Sequence, residues 1–276
     1  MPTSSTTPTG AASDPSAAHP VFDPRKAAVR TDALAGRVVA ITGPTAGLGR
    51  ALAHACVRHG AEVLLLGRNV RKLEALHAEL MTLERGGDGP PLREPVIGVI
   101  DLERALAGDY DAIAAAVTAR WGRLDGLVHN AGLLGQLAPI EQFDVPTWVR
   151  VMHVNVTAAF ALTQVLLPSL RASPDASVIF TSSGVGRRGR AYWGAYAVSK
   201  FALEGLTQVL AHELDRTSVR VNSLNPGRAR TAMRRQAYPS EAIDSLPTPE
   251  SLMQPYLALL SDVARGVTGQ AFDCQG

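Results

Sequence analysis

The feature that most limits what this chain can fold into is a strand, a glycine turn and a helix in immediate succession. From Val38 the residues VVAIT form a short, β-branched run of the kind that makes a buried strand. Gly43-Pro44-Thr45-Ala46-Gly47-Leu48-Gly49 follows at once and leads into a helix-permissive stretch from Arg50 to His59. Glycines let the backbone turn tightly and approach a pyrophosphate, whose charge the amides of the next helix stabilise. A dinucleotide is therefore the expected ligand, with Thr42, Gly43, Thr45, Gly47, Leu48 and Gly49 around its phosphates. The spacing is G-x-x-x-G-x-G rather than the commoner G-x-G-x-x-G, and by itself the turn would also suit an ordinary strand-to-helix connection.

The same alternation repeats along the chain. Val63 to Leu66 reads as a second strand, and Val70 to Leu83 places Val70, Leu73, Leu76, Leu80 and Leu83 at helical spacing. Strand-like runs recur at Val96 to Ile100, Leu127 to His129, Val178 to Thr181 and Val219 to Leu224, with a weaker one at Gln270 to Phe272. Helical patterns lie between most of them, and the two longest run from about Pro146 to Leu170 and from Tyr192 to Leu214. This is the pattern of an α/β fold: about seven parallel strands in one doubly wound sheet with helices on both faces.

A hydrophobic content of 46% over 276 residues supplies core enough for one large domain, expected over residues 31–276. Residues 1–30, rich in Pro, Ser, Thr and Ala, hold too few apolar groups to offset ordering entropy and are expected to be a disordered tail, with no signal peptide. The segment from Arg85 to Pro95 is a loop by composition. A net charge of +2 implies neither a nucleic-acid nor a membrane partner, and no apolar run approaches the ~20 residues of a spanning helix. Cys56 and Cys274 offer no disulfide framework and the histidines no metal-binding spacing, so a metal-free protein in a reducing, cytoplasmic setting fits best.

About twenty residues past the glycine turn, where a carboxylate would bond the adenosine ribose of NAD, the second strand ends Leu66-Gly67-Arg68-Asn69. A guanidinium there pairs with a 2′-phosphate, which favours NADP(H) over NAD(H); the alternative is that Arg68 only solvates the loop. Asp101, with Leu102 beside it, closes the third strand and serves either the adenine or the cap of the next helix.

The stretch Thr181 to Lys200 carries the pointed chemistry. Tyr196 and Lys200 are four apart, so on a helix they share one face, and an ammonium beside a phenol favours the phenolate of a group that normally titrates near pH ~10. Alone, such a pair is most often an ordinary surface pair.

Taken together, these motifs resemble those of the short-chain dehydrogenase/reductase family from about Leu34 to the C-terminus. TGPTAGLG is similar to the family's TGxxxGxG, His129-Asn130-Ala131-Gly132 to its NNAG, and Asn155 to its helix asparagine. Tyr196-Ala-Val-Ser-Lys200 matches YxxxK, Ser183 stands thirteen residues before Tyr196, and Asn225-Pro226-Gly227 with Thr231 matches NPGxxxT. Within the family, TSSGVGRRGRAYWGAYAVSKFALEG and NPGRARTAMR most resemble the YciK-type oxidoreductases. The resemblance implies a single-domain Rossmann-type fold and hydride transfer between a nicotinamide and a carbonyl or alcohol carbon. Tyr196 would be the acid/base, Lys200 would lower its pKa and bond the nicotinamide ribose, and Ser183 would bond the substrate oxygen. Asn155 would hold a water, while Asn130, Ala131, Gly132, Pro226, Gly227 and Thr231 would line the cofactor. A homo-dimer or homo-tetramer is the family's usual assembly. His129, in place of the first asparagine of NNAG, departs from the pattern and would lose a structural hydrogen bond.

Selectivity for the small-molecule substrate is expected in Tyr192, Trp193 and the loop or lid at 228–253, although Trp193 would equally fill an interface. Arg187, Arg188 and Arg190, with Arg228, Arg230, Arg234 and Arg235, suggest an anionic substrate or acidic carrier; solvated charges are the alternative. A non-catalytic NAD(P)-binding sensor or scaffold on the same fold is the competing function. A serine hydrolase using Ser183 lacks the G-x-S-x-G elbow.

Overall fold

A computed structural model describes residues 22–83 and 92–276. Its seven strands are β1 (Val38–Thr42), β2 (Glu62–Gly67), β3 (Val96–Val99), β4 (Gly126–His129), β5 (Ala176–Thr181), β6 (Val219–Asn225) and β7 (Ala271–Asp273). They form one parallel sheet in the order β3-β2-β1-β4-β5-β6-β7, the doubly wound arrangement expected. The helices are α1 (Gly47–Arg58), α2 (Val70–Met81), α3 (Ala107–Trp121), α4 (Val145–Met152), α5 (Ala158–Arg171), α6 (Gly194–Glu213), α7 (Ala232–Ala237) and α8 (Met253–Leu260).

All five residues of β1 are buried, because alternate side chains of a central strand enter opposite cores. Val39 and Ile41 pack with Leu52 of α1, Leu73 of α2 and Tyr256 of α8. Val38 and Ala40 pack with Val117 of α3, Leu166 of α5 and Leu203 of α6. The β1 strand therefore binds both helical layers to one sheet. Its register, Val39 opposite Gly126 and Ile41 opposite Val128, brings the end of β4 level with the glycine turn.

Three expectations change. The long helix expected from about Pro146 to Leu170 is two α-helices joined by a π-helical turn at His153–Thr157. By length and composition that continuous span, Val145–Arg171, is apolar enough to cross a membrane, contrary to the sequence reading. Here Leu162, Leu166 and Leu170 are fully buried against the sheet, so it is a core helix. Finally, residues 1–21 of the expected tail lie outside the described residues, whereas residues 22–30 are placed: Phe22 meets Phe272 edge-on at 6.0 Å and Gln254 Nε2 donates to the Ala27 carbonyl at 2.6 Å. With Val29 also packed against the core, these contacts lay residues 22–30 on it. Of the expected loop at Arg85 to Pro95, residues 85–91 lie outside the described residues.

Candidate active site

A cleft of about 550 Å³ opens at the carboxyl ends of the strands. It lies where β1 has β2 on one side and β4 on the other, the point at which chain connections leave in opposite directions. The glycine turn forms one wall, with Gly43, Thr45, Gly47 and Leu48 lining it as expected. Its shape is fixed from beneath. Thr42 Oγ1 accepts from the amides of Asn130 and Ala131, each at 3.0 Å, and Asn130 Nδ2 donates to the carbonyls of Thr42 and Gly43 at the same distance. A Cβ at Gly49 would overlap the Gly43 carbonyl and crowd Asn130 Nδ2 at 2.5 Å. Thr42 and Gly49 were expected to meet the ligand; they instead lie under the turn and hold it to β4. The cradle fits a dinucleotide: close backbone packing with the first amides of α1 free to face an anion.

At one end of the cleft stand Arg68, Asp101 and Leu102, as expected, together with Lys72 and Glu103, which sequence reading missed. Arg68 Nη1 is 3.1 Å from Glu103 Oε2 and 3.7 Å from Asp101 Oδ1. Arg150 grips the same Glu103 carboxylate from the other side at 2.8 and 2.9 Å. The Arg150 guanidinium, and after it that of Arg68, holds the Glu103 carboxyl below the usual carboxylate range. Asp101 does not cap the next helix, whose N-cap is Leu106; its Oδ1 accepts from the Glu103 amide at 3.1 Å and closes the turn before α3.

At the other end, β5 delivers Ser183 and α6 delivers Tyr196 and Lys200, one helical turn apart and both buried. Lys200 Nζ donates to the Thr181 carbonyl at 2.7 Å and lies 5.4 Å from the centre of the Tyr196 ring. Burial pushes the Tyr196 phenol up to about 12, opposed by a hydrogen bond from Ser183. Burial brings Lys200 down to about 8, opposed by the charge of Glu204. Burial thus dominates at the phenol, the Lys200 ammonium is not among the causes that move it, and Tyr196 holds its proton at neutral pH.

Asn155 occupies the π-helical turn. Its Nδ2 donates to the Leu133 carbonyl and to Ser199 Oγ, both at 3.0 Å, and its Oδ1 accepts from the Leu133 amide at 2.8 Å. It thereby ties the segment after β4 to α6 and fixes Gly132, where an added Cβ would lie 3.8 Å from Lys200 Nζ. Glu204, which sequence reading missed, receives hydrogen bonds from Ser182 and from Ser223 Oγ (2.6 Å). Neither residue carries a motif; only the fold brings the carboxylate beneath the serine strand.

Asn130, Ala131 and Gly132 line the cleft with Pro226, Gly227 and Thr231, and Thr231 also caps α7 by accepting from the Arg234 amide at 3.2 Å. The structure keeps these expected residues around one space. His129 is buried, bonds Thr163 Oγ1 at 2.8 Å and stacks on Phe180 at 4.8 Å, so the hydrogen bond expected to be lost has a substitute. Burial depresses its imidazole to about 3.

The arginine clusters fare differently. Arg187 pairs with Glu204 at 3.4 Å and Asp273 at 3.0 Å, Arg230 with Asp244 at 3.5 Å, and Arg234 with Glu241 at 2.5 Å. Arg190 donates to the Tyr238 hydroxyl at 2.6 Å, while Arg188, Arg228 and Arg235 are exposed. Among the seven, Arg234 alone lines the cleft.

A family model described as short chain dehydrogenase matches residues 37–242. The oxidoreductase YciK of Escherichia coli (strain K12) is 45% identical over 246 residues, which are 89% of this chain and 94% of that protein. A short chain dehydrogenase of Shigella flexneri 2a complexed with NADP is 44% identical and superposes with a TM-score of 0.84, covering 90% of this chain and 100% of that one. One from Escherichia coli CFT073 complexed with NADPH is 45% identical with a TM-score of 0.85 over the same shares. With a family match over residues 37–242 and relatives 44–45% identical across nine-tenths of its length, the chain belongs to the short-chain dehydrogenase/reductase family of NAD(P)-dependent oxidoreductases.

Proposed function

We propose that this chain is an NADP(H)-dependent oxidoreductase that interconverts a carbonyl and an alcohol, with Tyr196 as its acid and base. The carrying observation is convergence: Ser183, Tyr196 and Lys200 meet at one end of the cleft whose other end holds Arg68 and Lys72 beside Asp101 and Glu103. When bound, the nicotinamide cofactor exchanges a hydride with the substrate carbon. In reduction the Tyr196 phenol, protonated at neutral pH, gives its proton to the substrate oxygen; in oxidation the same oxygen atom takes it back. Ser183 donates a hydrogen bond to that substrate oxygen as charge develops on it. Lys200, anchored on the Thr181 carbonyl, supplies the positive charge that offsets the phenolate left after proton transfer. Asn155 fixes the Leu133 backbone and Ser199 around this group.

NADP(H) is favoured because Arg68 can exchange Glu103 for a 2′-phosphate while Arg150 keeps Glu103 neutralised. The NADP and NADPH complexes of relatives 44% and 45% identical support the same choice. Exposed Val149, Phe160, Phe201 and Val209, on helices α4 to α6, support the homo-oligomer expected. The test is NADPH oxidation against a panel of ketones, aldehydes and quinones, with NADH in parallel and Tyr196→Phe as control. Turnover faster with NADPH and abolished in the variant is expected. Tight NADPH binding without turnover on any member of a broad panel, together with full function of Tyr196→Phe, would point to the sensor or scaffold; faster turnover with NADH would overturn the Arg68 assignment.

A further inference from the structure

We infer that the substrate half of the cleft takes an uncharged carbonyl compound bearing a flat hydrophobic ring, and that Trp193 is the residue that selects it. The inference rests on the oxidoreductase reading above and adds the chemical class of the substrate.

Trp193 lines the cleft and is held there by its neighbours on both sides. Tyr192 adopts a left-handed backbone, φ +73°, which is unfavourable for a non-glycine residue and persists only where the surroundings impose it. The restraint is visible: the Ala138 amide donates to the Tyr192 carbonyl at 3.1 Å. On the other side, a Cβ at Gly194 would overlap the ring of Phe143, which itself rests edge-on against Trp148 at 5.9 Å. The loop from Ala138 to Phe143 therefore clamps the backbone around Trp193. Its indole lies 5.7 Å from the Tyr196 ring and 5.8 Å from that of Tyr238.

Beyond the polar groups of the site, the cleft carries apolar lining. Leu133, Leu134, Val154, Met233 and Ala237 belong to it. A fixed indole facing aliphatic side chains presents a slot in which a flat ring gains both burial and offset stacking.

Charge points the same way. Arg234, the cluster arginine that lines the cleft, is paired with Glu241 at 2.5 and 2.6 Å and lies 3.8 Å over the Tyr238 ring. Arg187, Arg190 and Arg230 are likewise engaged by protein groups. A substrate carboxylate would have to displace Glu241 from Arg234, and among the described residues Glu241 has no second salt bridge of the kind Arg150 gives Glu103. The anionic substrate suggested by the arginine-rich sequence thus gives way to a neutral one.

The test is calorimetric binding to the NADP⁺-saturated protein of two probes of similar shape, neutral 1-tetralone and anionic benzoylformate. Tetralone is expected to bind at least about tenfold more tightly than benzoylformate, to lose about tenfold in Trp193→Ala and to keep most of its affinity in Trp193→Phe. Benzoylformate binding as tightly as tetralone, tetralone affinity unchanged in Trp193→Ala, or no tetralone binding up to its solubility limit would each overturn the inference. Tyr196→Phe should bind tetralone normally while failing to reduce it. Binding without any Tyr196-dependent turnover would count against the reaction and leave the class standing; reduction of other carbonyls without tetralone binding would do the reverse.

Discussion

Replacing Lys200 by methionine should stabilise the protein near neutral pH while abolishing its activity, and the gain should vanish as the pH rises. Lys200 is 3% exposed and its ammonium titrates at about 8 rather than 10.5, because burial penalises the charged form. At about 1.4 kcal/mol for each factor of ten, the fold holds this charge at a cost of about 3 kcal/mol below pH 8. The folded-state pKa is the lower one, so the unfolded chain binds more protons between the two values. Wild-type stability therefore carries its full penalty below about 8 and recovers as the pH climbs towards 10.5. Methionine removes the penalty but also the 2.7 Å hydrogen bond to the Thr181 carbonyl, a loss of about 1–2 kcal/mol, leaving a net gain of about 1–2 kcal/mol at pH 7. Urea unfolding of both proteins at closely spaced pH values from 7 to 10 is the assay, since groups common to both cancel in the difference. Wild type should gain about 2 kcal/mol on the variant across that range. A difference independent of pH, or wild type the more stable at pH 7 by several kcal/mol, would refute the reasoning.

Glu103→Gln should tighten NADP⁺ about two- to fivefold, because Arg68 no longer has to leave a carboxylate; fluorescence titration should show NAD⁺ unaffected, and an equal change for both would count against a 2′-phosphate at Arg68. Gly49→Ala should weaken dinucleotide binding more than tenfold and lower Tm, since its Cβ collides with the Gly43 carbonyl under the turn; binding within about twofold of wild type would contradict the cradle. At the opposite end of the sheet, Arg220 bonds Asp175 at 2.8 Å and the Leu259 and Ser261 carbonyls at 2.8 and 3.2 Å. Arg220→Ala should cost about 3–5 kcal/mol in urea unfolding, and under 1 kcal/mol would show that Arg37 suffices to hold Asp175.

Much of the fold was legible because its signals are local. The β1 run, the glycine turn and the Leu73-Leu76-Leu80 stripe of α2 announce their own periods, and Tyr196 and Lys200 need only one turn of helix to meet. What was missed depends on partners far along the chain. Thr42 and Gly49 sit in the right motif, but only the pairing with Asn130 shows that they support the turn instead of facing the ligand. Glu103 and Glu204 carry no motif, and their roles arise from Arg68, Arg150, Ser182 and Ser223, elements away. The arginine clusters looked available because a sequence does not show that Glu241 will meet Arg234 or Asp273 meet Arg187. Phe22 was read into the tail because one aromatic in a polar segment gives no period, and its partner Phe272 lies far along the chain.

The π-helical turn at His153–Thr157 contains no glycine or proline to advertise it, yet it determines how this enzyme can change length. Such a turn is in effect one residue inserted into an α-helix. Deleting one of its residues would let α4 and α5 fuse into a regular helix with their faces still nearly in register, because the bulge already absorbs the extra residue. Leu162 and Leu166 would keep their places in the core, while Asn155 would lose the bulge from which it reaches Leu133 and Ser199. A single-codon deletion in this turn should therefore spare the fold and strike the site, separating two properties that most deletions in a buried helix destroy together.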